Sequence, residues 1–137
     1  VGGLKCGMDV SVACPEGYDP DPVVLGFAKT VTDRRFELVR APADAVVDAD
    51  VVITDVWASM GQEEERAVRA KAFTGYCIDE NLMKLTHPGC MVQHCLPAHK
   101  GEEISAQVFE DHADEIFEEA ENRLHAQKAV LYLLMKD

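Results

Sequence analysis

Two polar side chains that could take part in chemistry follow apolar stretches of the sequence. Asp55 comes directly after residues 50–54, and Cys95 lies near the end of residues 90–96. A carboxylate that ends a buried strand is costly unless it faces a cleft or a polar partner. We therefore interpret Asp55 as a candidate ligand for a substrate ammonium group. The alternative is that Asp55 accepts hydrogen bonds from the amides of its own loop.

The segment around Cys95 admits three interpretations. Its thiol and the neighbouring imidazoles of His94 and His99 could serve as nucleophile and base. With Cys90 they could also bind zinc, but His94 and Cys95 are adjacent and would point to opposite sides of a strand. The third interpretation is a buried structural thiol. The spacing disfavours zinc, and we expect no metal site.

Two further candidates are less specific. Arg123 is either a surface arginine paired with nearby acids or a bidentate clamp for phosphate or carboxylate. Ser59 and Met60 lie in a loop of small residues after Asp55, where a methionine more often covers the core than contacts a ligand.

The alternation of apolar runs and turn signals predicts an α/β fold in one domain. Strands are predicted at residues 8–13, 36–39, 50–54 and 90–96, with an edge strand at residues 115–117. Helices are predicted after the N-caps Asp21 and Asp79 and at residues 42–47, 63–73, 106–109 and 118–135. This order is typical of a three-layer wound parallel sheet, Rossmann-like, with helices on both faces. Ligands of such sheets bind beyond the carboxyl ends of the strands, which places residues 55–61 and 94–99 on one rim.

The composition argues against several classes of protein. At 137 residues the chain has the size of one domain. Its net charge of −12 argues against binding nucleic acid or anionic membranes, and no apolar run is long enough to cross a bilayer. The five cysteines form no CxxC pair, which favours a reducing cytoplasm. No GxGxxG motif follows the first strand, which disfavours a nucleotide-binding domain.

The last predicted helix is apolar on all sides over residues 129–135. A helix on the surface of a lone domain normally keeps a polar face. We therefore expect an apolar surface to cover this segment, contributed by another subunit or another domain.

Four segments together resemble a known family. They are "GMDVSVACPEGYDPDP" (residues 7–22), "DVWASMGQEEE" (55–65), "HCLPAHKGEEIS" (94–105) and "EEAENRLHAQKAVL" (118–131). In this order they resemble the carboxyl-terminal half of the ornithine carbamoyltransferases, in their bacterial anabolic form. The similarity covers nearly the whole chain. Residues 1–137 are therefore expected to form the ornithine-binding, carboxyl-terminal domain of such an enzyme.

The resemblance implies a reaction and roles for individual residues. The family transfers the carbamoyl group of carbamoyl phosphate to the δ-amine of L-ornithine in arginine biosynthesis, giving citrulline and phosphate without a metal or cofactor. By resemblance, Asp55 binds the ornithine α-amino group, and Ser59 and Met60 line the amino-acid site. Again by resemblance, Cys95 contacts ornithine near the reacting centre, and Cys95 and the backbone of Leu96 position the carbamoyl group. Arg123 binds the carbamoyl oxygen and the phosphate side of carbamoyl phosphate. The Leu96–Pro97 bond resembles a cis peptide of the family.

The sequence departs from the family in more than one respect, and residues 29–43 look shorter than is usual for it. Family members carry an amino-terminal carbamoyl-phosphate domain of about equal size, and its motifs are not found in these residues. Since Arg123 is the one inherited phosphate ligand in a chain of charge −12, we expect the chain alone to be inactive. A homotrimer is expected for the full-length family member, but the assembly of this chain is left open. The alternative function is a non-catalytic binding or interaction domain that retains the carbamoyltransferase fold.

Overall fold

A computed structural model describes residues 1–58, 61 and 65–136 of the chain. Its strands are β1 (Val10–Ala13), β2 (Phe36–Val39), β3 (Val51–Thr54) and β4 (Met91–His94). Its helices are α1 (Gly2–Lys5), α2 (Pro22–Thr30), α3 (Pro42–Ala45), α4 (Arg66–Ala72), α5 (Glu80–Met83), α6 (Ala106–Asp111) and α7 (Ala113–Met135). The alternation of strands and helices confirms the predicted α/β class.

The strands pair in parallel. Strand β1 lies beside β2, and β3 lies beside β4, so the described strands form two two-stranded sheets. In the second sheet Thr54 is the register partner of His94. The residues that follow these two positions therefore leave the sheet side by side, as the carboxyl ends of parallel strands must.

Local capping explains where three of the helices begin. The Asp21 carboxylate accepts a hydrogen bond from the Val23 amide at 2.7 Å, and Pro22 occupies the first turn of α2. Asp79 accepts hydrogen bonds from two amides at the start of α5. Both caps confirm the sequence predictions. The Ser105 hydroxyl caps α6 by accepting from the Val108 amide at 3.0 Å.

The main core lies around β3 and β4. Its buried members are Val46, Val52, Ile78, Cys90, Val92, Ile104, Val108, Phe109 and Ile116. They bring α6 and the first turns of α7 against β4 and the segment before α6. This packing fixes the base of the loop that leaves β4 after His94.

The predicted edge strand at residues 115–117 is wrong, because these residues belong to α7. Ile116 is fully buried in the core, while the Glu115 carboxylate accepts hydrogen bonds from the Val92 amide and the His112 imidazole, each at 2.9 Å. A side chain of a helix, and not another strand, thus satisfies an amide of β4. Three apolar or mixed residues cannot distinguish a strand from a helix by periodicity. The last helix consequently begins at Ala113 instead of residue 118.

Other boundaries differ less. The described part of the helix predicted at residues 63–73 is α4 (Arg66–Ala72), while residues 62–64 lie outside the described residues. Helix α1 was not predicted. None of the helices in the described ranges is long and apolar enough to cross a membrane.

The second half of α7 leaves the core. Residues 121–136 are exposed, including Leu124 at 64% and Leu134 at 78% of full exposure. Residues 129–135, the apolar segment that was expected to be covered, are thus exposed in this chain.

Two substitutions on α7 test the packing of its first half. Ile116→Ala removes a fully buried side chain and should lower the free energy of unfolding by about 2–5 kcal/mol. Leu124→Ala, on the exposed half of the same helix, should change it by less than about 0.5 kcal/mol. Urea unfolding of the chain, followed by circular dichroism, measures both values. Equal effects of the two substitutions would contradict the described burial.

Candidate functional site

The structure brings Asp55 and Cys95 together. Because Thr54 and His94 are register partners, the next residue of each strand lies at the same sheet edge. The Cys95 thiol donates a hydrogen bond to Asp55 Oδ1 with an Sγ–Oδ1 distance of 3.1 Å, across forty positions of sequence. Asp55 Oδ1 also accepts from the Val56 amide at 2.7 Å. The loop-capping interpretation of Asp55 is therefore confirmed, while its binding of an ammonium group stays a prediction.

The environment of Cys95 keeps its thiol protonated. The pKa of Cys95 is raised to about 11 by burial first, then by the hydrogen bond and charge of Asp55, and then by the charge of Glu119. Cys95 as a residue is exposed, so the contact with Asp55 is the better defined of these causes. A neutral thiol is a poor nucleophile but a hydrogen-bond donor. Its geometry therefore favours a positioning role over attack as a thiolate.

Acidic groups surround the Cys95 thiol. Asp55 contacts it directly, and Glu119 on α7 is close enough to raise its pKa. One carboxylate oxygen of Glu119 is buried and has no hydrogen-bond partner in the part of the chain that the structure describes. A site of this charge favours a cationic ligand, such as an ammonium group.

The segment after Cys95 has an unusual backbone. The Leu96–Pro97 peptide bond is cis, as the resemblance implies, and Leu96 has a φ of 54°. This left-handed conformation is uncommon for a residue with a side chain and is held by its surroundings. The Leu96 amide donates a hydrogen bond to His94 Nδ1 at 2.9 Å.

A buried pair of side chains, His94 and Glu103, forms hydrogen bonds with the backbone of this segment. His94 and Glu103 are both fully buried, and His94 Nε2 lies 3.0 Å from Glu103 Oε1. Glu103 Oε1 also accepts from the His99 amide at 2.5 Å. Glu103 is not among the residues predicted from the sequence, although it lies within the segment at residues 94–105. An acid next to the apolar Ile104 was the available signal, but it is indistinguishable from a surface loop acid without the fold.

The loop after Asp55 is anchored by aromatic packing. Trp57 stacks on Phe73 with ring centroids 5.8 Å apart, and Phe73 meets Tyr18 edge-on at 5.0 Å. Arg69 donates to the Trp57 carbonyl oxygen at 3.4 Å. A cavity of about 380 Å³ lies between β1 and β3 and is bordered by Asp55. The side of the loop nearest the strand is therefore fixed, with open space beside the carboxylate.

The zinc interpretation receives no support from the contacts of its ligands. Both ring nitrogens of His94 are engaged, one by the Leu96 amide and one by Glu103. Another group of possible metal ligands consists of His99, Glu102 and Glu103. One ligand atom of each residue lies within 4.8 Å of the other two. However, Glu102 is paired with Arg66, and Glu103 already accepts two hydrogen bonds.

The remaining predicted site residues are not brought into contact with this pair. Ser59 and Met60 lie outside the described residues. Arg123 lies on the exposed half of α7, and its side chain makes no hydrogen bond or ion pair within the described ranges. It is one helical turn beyond Glu119, on the same face of α7. Its role therefore stays a prediction.

Comparisons with known proteins agree on one family. Residues 1–134 match the family model of the aspartate/ornithine carbamoyltransferase Asp/Orn binding domain. The chain is 54% identical, over 130 residues, to the ornithine carbamoyltransferase of Geobacter metallireducens, covering 95% of this chain and 43% of that protein. It is 49% identical over 138 residues to the enzyme of Pyrococcus abyssi, covering 98% of this chain and 44% of that protein.

Solved structures give the same result. The anabolic ornithine carbamoyltransferase of Campylobacter jejuni matches with a TM-score of 0.91 and 41% identity, covering 96% of this chain and 45% of that one. The ornithine carbamoyltransferase of Pyrococcus furiosus matches with a TM-score of 0.84 and 48% identity. The match covers 95% of this chain and 42% of that one. The chain thus spans less than half the length of the relatives that it matches.

The pH dependence of Cys95 alkylation tests the contact with Asp55. The thiolate should form with a pKa of about 11. Asp55→Asn removes a negative charge that opposes ionisation, so it should lower this pKa and raise the iodoacetamide rate at pH 9 by about fivefold or more. Mass spectrometry of the Cys95 peptide measures the rate.

Asp33→Asn serves as the matched control, because Asp33 is exposed in the segment before β2, at the amino end of that strand. It should leave the Cys95 profile unchanged. An unaltered profile in Asp55→Asn would show that the two side chains do not interact in solution.

Proposed function

The chain belongs to the aspartate/ornithine carbamoyltransferase family, and from this premise we propose that it is the ornithine-binding part of an ornithine carbamoyltransferase. The observation that carries the proposal is the hydrogen bond of 3.1 Å between the Cys95 thiol and the Asp55 carboxylate. It combines an acid for an ammonium group with a neutral donor at the sheet edge where ligands of this fold class bind. Relatives named ornithine carbamoyltransferase support the choice of amino acid.

The proposed reaction joins ornithine to a carbamoyl group. The neutral δ-amine of L-ornithine attacks the carbonyl carbon of carbamoyl phosphate, so that a C–N bond forms and the C–O bond to phosphate breaks. The δ-nitrogen loses a proton, and the products are citrulline and phosphate. No covalent intermediate with the protein and no metal or organic cofactor takes part.

Asp55 holds one end of the diamino acid in this proposal. Its carboxylate binds the α-ammonium group, which leaves the δ-amine free to reach the carbonyl carbon. Fixing both reactants in this way removes part of the entropic barrier of a two-substrate reaction. Ser59 and Met60, which follow in the loop, line the amino-acid site.

Cys95 and Leu96 act at the other end. The protonated Cys95 thiol approaches the reacting centre, and it and the Leu96 backbone position the carbamoyl group. Arg123 binds the carbamoyl oxygen and phosphate side of the second substrate.

The complete activity requires more than this chain. The relatives have more than half of their length outside the matched region, and we assign most of the phosphate-binding groups to that part. A net charge of −12 opposes binding of carbamoyl phosphate by the chain alone. The same additional part is the proposed cover for the exposed apolar end of α7. The whole enzyme is proposed to be a cytoplasmic homotrimer in arginine biosynthesis.

Calorimetric titration of the 137-residue chain with L-ornithine tests the proposal. We expect saturable binding that Asp55→Asn weakens by about tenfold or more, because the α-ammonium group loses a charged partner. Putrescine, which lacks the carboxylate and presents no α-amino acid group, should bind more weakly. Asp33→Asn should bind ornithine as the unchanged chain does.

Two outcomes would contradict the proposal. One is the absence of ornithine binding by a chain that is folded by circular dichroism. The other is rapid citrulline synthesis by the chain alone from ornithine and carbamoyl phosphate, since the proposal places the phosphate site mostly outside these residues.

A further inference from the structure

The buried pair of His94 and Glu103 accepts hydrogen bonds from the backbone of the segment that carries Cys95. We propose that Glu103 is a positioning residue of the candidate site, holding residues 94–99 so that Cys95 faces Asp55. This inference rests on the proposed function for its consequence in substrate binding. The proposed placement of Cys95 depends only on the contacts of Glu103 and not on the identity of the substrate.

The contacts of His94 define its protonation state. His94 Nδ1 accepts a hydrogen bond from the Leu96 amide at 2.9 Å, so this nitrogen carries no proton. The proton of the neutral ring is therefore on Nε2, which donates to Glu103 Oε1 at 3.0 Å. The ring thus transmits the position of Glu103 to the backbone of Leu96, the residue next to Cys95.

The same oxygen holds the far end of the segment. Glu103 Oε1 accepts from the His99 amide at 2.5 Å. One carboxylate oxygen therefore ties the His94 side chain and the His99 backbone together, so the intervening segment, with Leu96 at a φ of 54°, is closed at both ends.

Glu103 is itself firmly placed. Its carbonyl oxygen accepts from the Ile78 amide at 3.0 Å, and the next residue, Ile104, is fully buried in the core. The core thus supplies a fixed point from which a side chain reaches the loop. Elements of the packed core make more precise supports for a site than the loop could provide alone.

The pair is costly as a purely structural device. A buried carboxylate is stabilising only when its hydrogen bonds are satisfied, and apolar side chains of similar volume often pack at least as well. Glu103 Oε2 is buried and has no hydrogen-bond partner within the described part of the chain; His99 Nδ1 is 4.0 Å away. Local rules of this kind are broken mainly at functional sites. The benefit that offsets the cost is the position of Cys95 and Leu96.

The experiment compares substitutions of two adjacent acids in the chain. Glu103→Leu removes the acceptor at similar volume, whereas Glu103→Gln retains an oxygen that can accept both hydrogen bonds. Glu102→Leu is the matched control, because the Glu102 carboxylate pairs with Arg66 at the surface and does not contact His94. The readouts are the pH profile of Cys95 alkylation, L-ornithine binding by calorimetry, and folding by circular dichroism.

We expect Glu103→Leu to fold and to release Cys95 from Asp55. The iodoacetamide rate of Cys95 at pH 9 should then rise about tenfold or more, as the thiol pKa falls towards its ordinary value. Ornithine affinity should fall by a similar factor. Glu103→Gln should restore both readouts, and Glu102→Leu should leave both unchanged. A merely structural role of Glu103 would change stability without changing the alkylation profile.

The outcomes separate this inference from the proposed function. If the unchanged chain does not bind ornithine, the proposed function fails, but the alkylation profile still decides the role of Glu103. A folded Glu103→Leu chain with an unchanged profile overturns the positioning role. Should Glu103→Leu fail to fold, nitrogen-15 NMR of the unchanged chain decides instead. It must find His94 neutral with its proton on Nε2 at neutral pH, and any other state overturns the inference.

Discussion

The site depends on the parallel register of β3 and β4. Pairing Thr54 with His94 makes the next residues, Asp55 and Cys95, neighbours at the end of the sheet. A slip of one residue would turn every side chain of the strand to the other face and separate the acid from the thiol. The core behind the two strands, with Val52 and Val92 buried, fixes this register. The apolar residues of the strands thus determine the geometry of the polar residues that follow them.

The electrostatics of the site follow from this geometry. A thiol that shares a sheet edge with a carboxylate ionises with difficulty, so Cys95 remains a neutral donor at physiological pH. Two carboxylates around a neutral donor suit a ligand with ammonium groups. A cysteine nucleophile would need the opposite environment, with positive charge near the sulfur. The fold therefore favours a positioning role of Cys95 over covalent catalysis.

Much of this arrangement could be predicted from the sequence, because it rests on local patterns. Asp21 and Asp79 begin their helices as ordinary N-caps, and the rule that parallel strands end at one rim is sufficient to bring Asp55 towards Cys95. The mistaken strand at residues 115–117 shows the limit of such patterns. Ile116 fits either period, and only its packing against β4 decides for the helix.

The burial of Glu103 could not be predicted from the sequence pattern, for a related reason. Nothing in an acid that follows Glu102 indicates that one carboxylate is at the surface and the other fully buried. The difference arises from the long-range packing of Ile104 and from the hydrogen bond with His94. Charged residues that act from within a core are therefore visible only in the folded structure.

A crystal structure of the chain with bound L-ornithine would show directly whether the amino acid lies at the edge formed by Asp55 and Cys95. We expect the α-ammonium group within hydrogen-bonding distance of the Asp55 carboxylate, with the δ-nitrogen extending towards the Cys95 sulfur. Ornithine bound elsewhere, or bound with Asp55 and Cys95 turned away from it, would show that these two side chains do not form the amino-acid site.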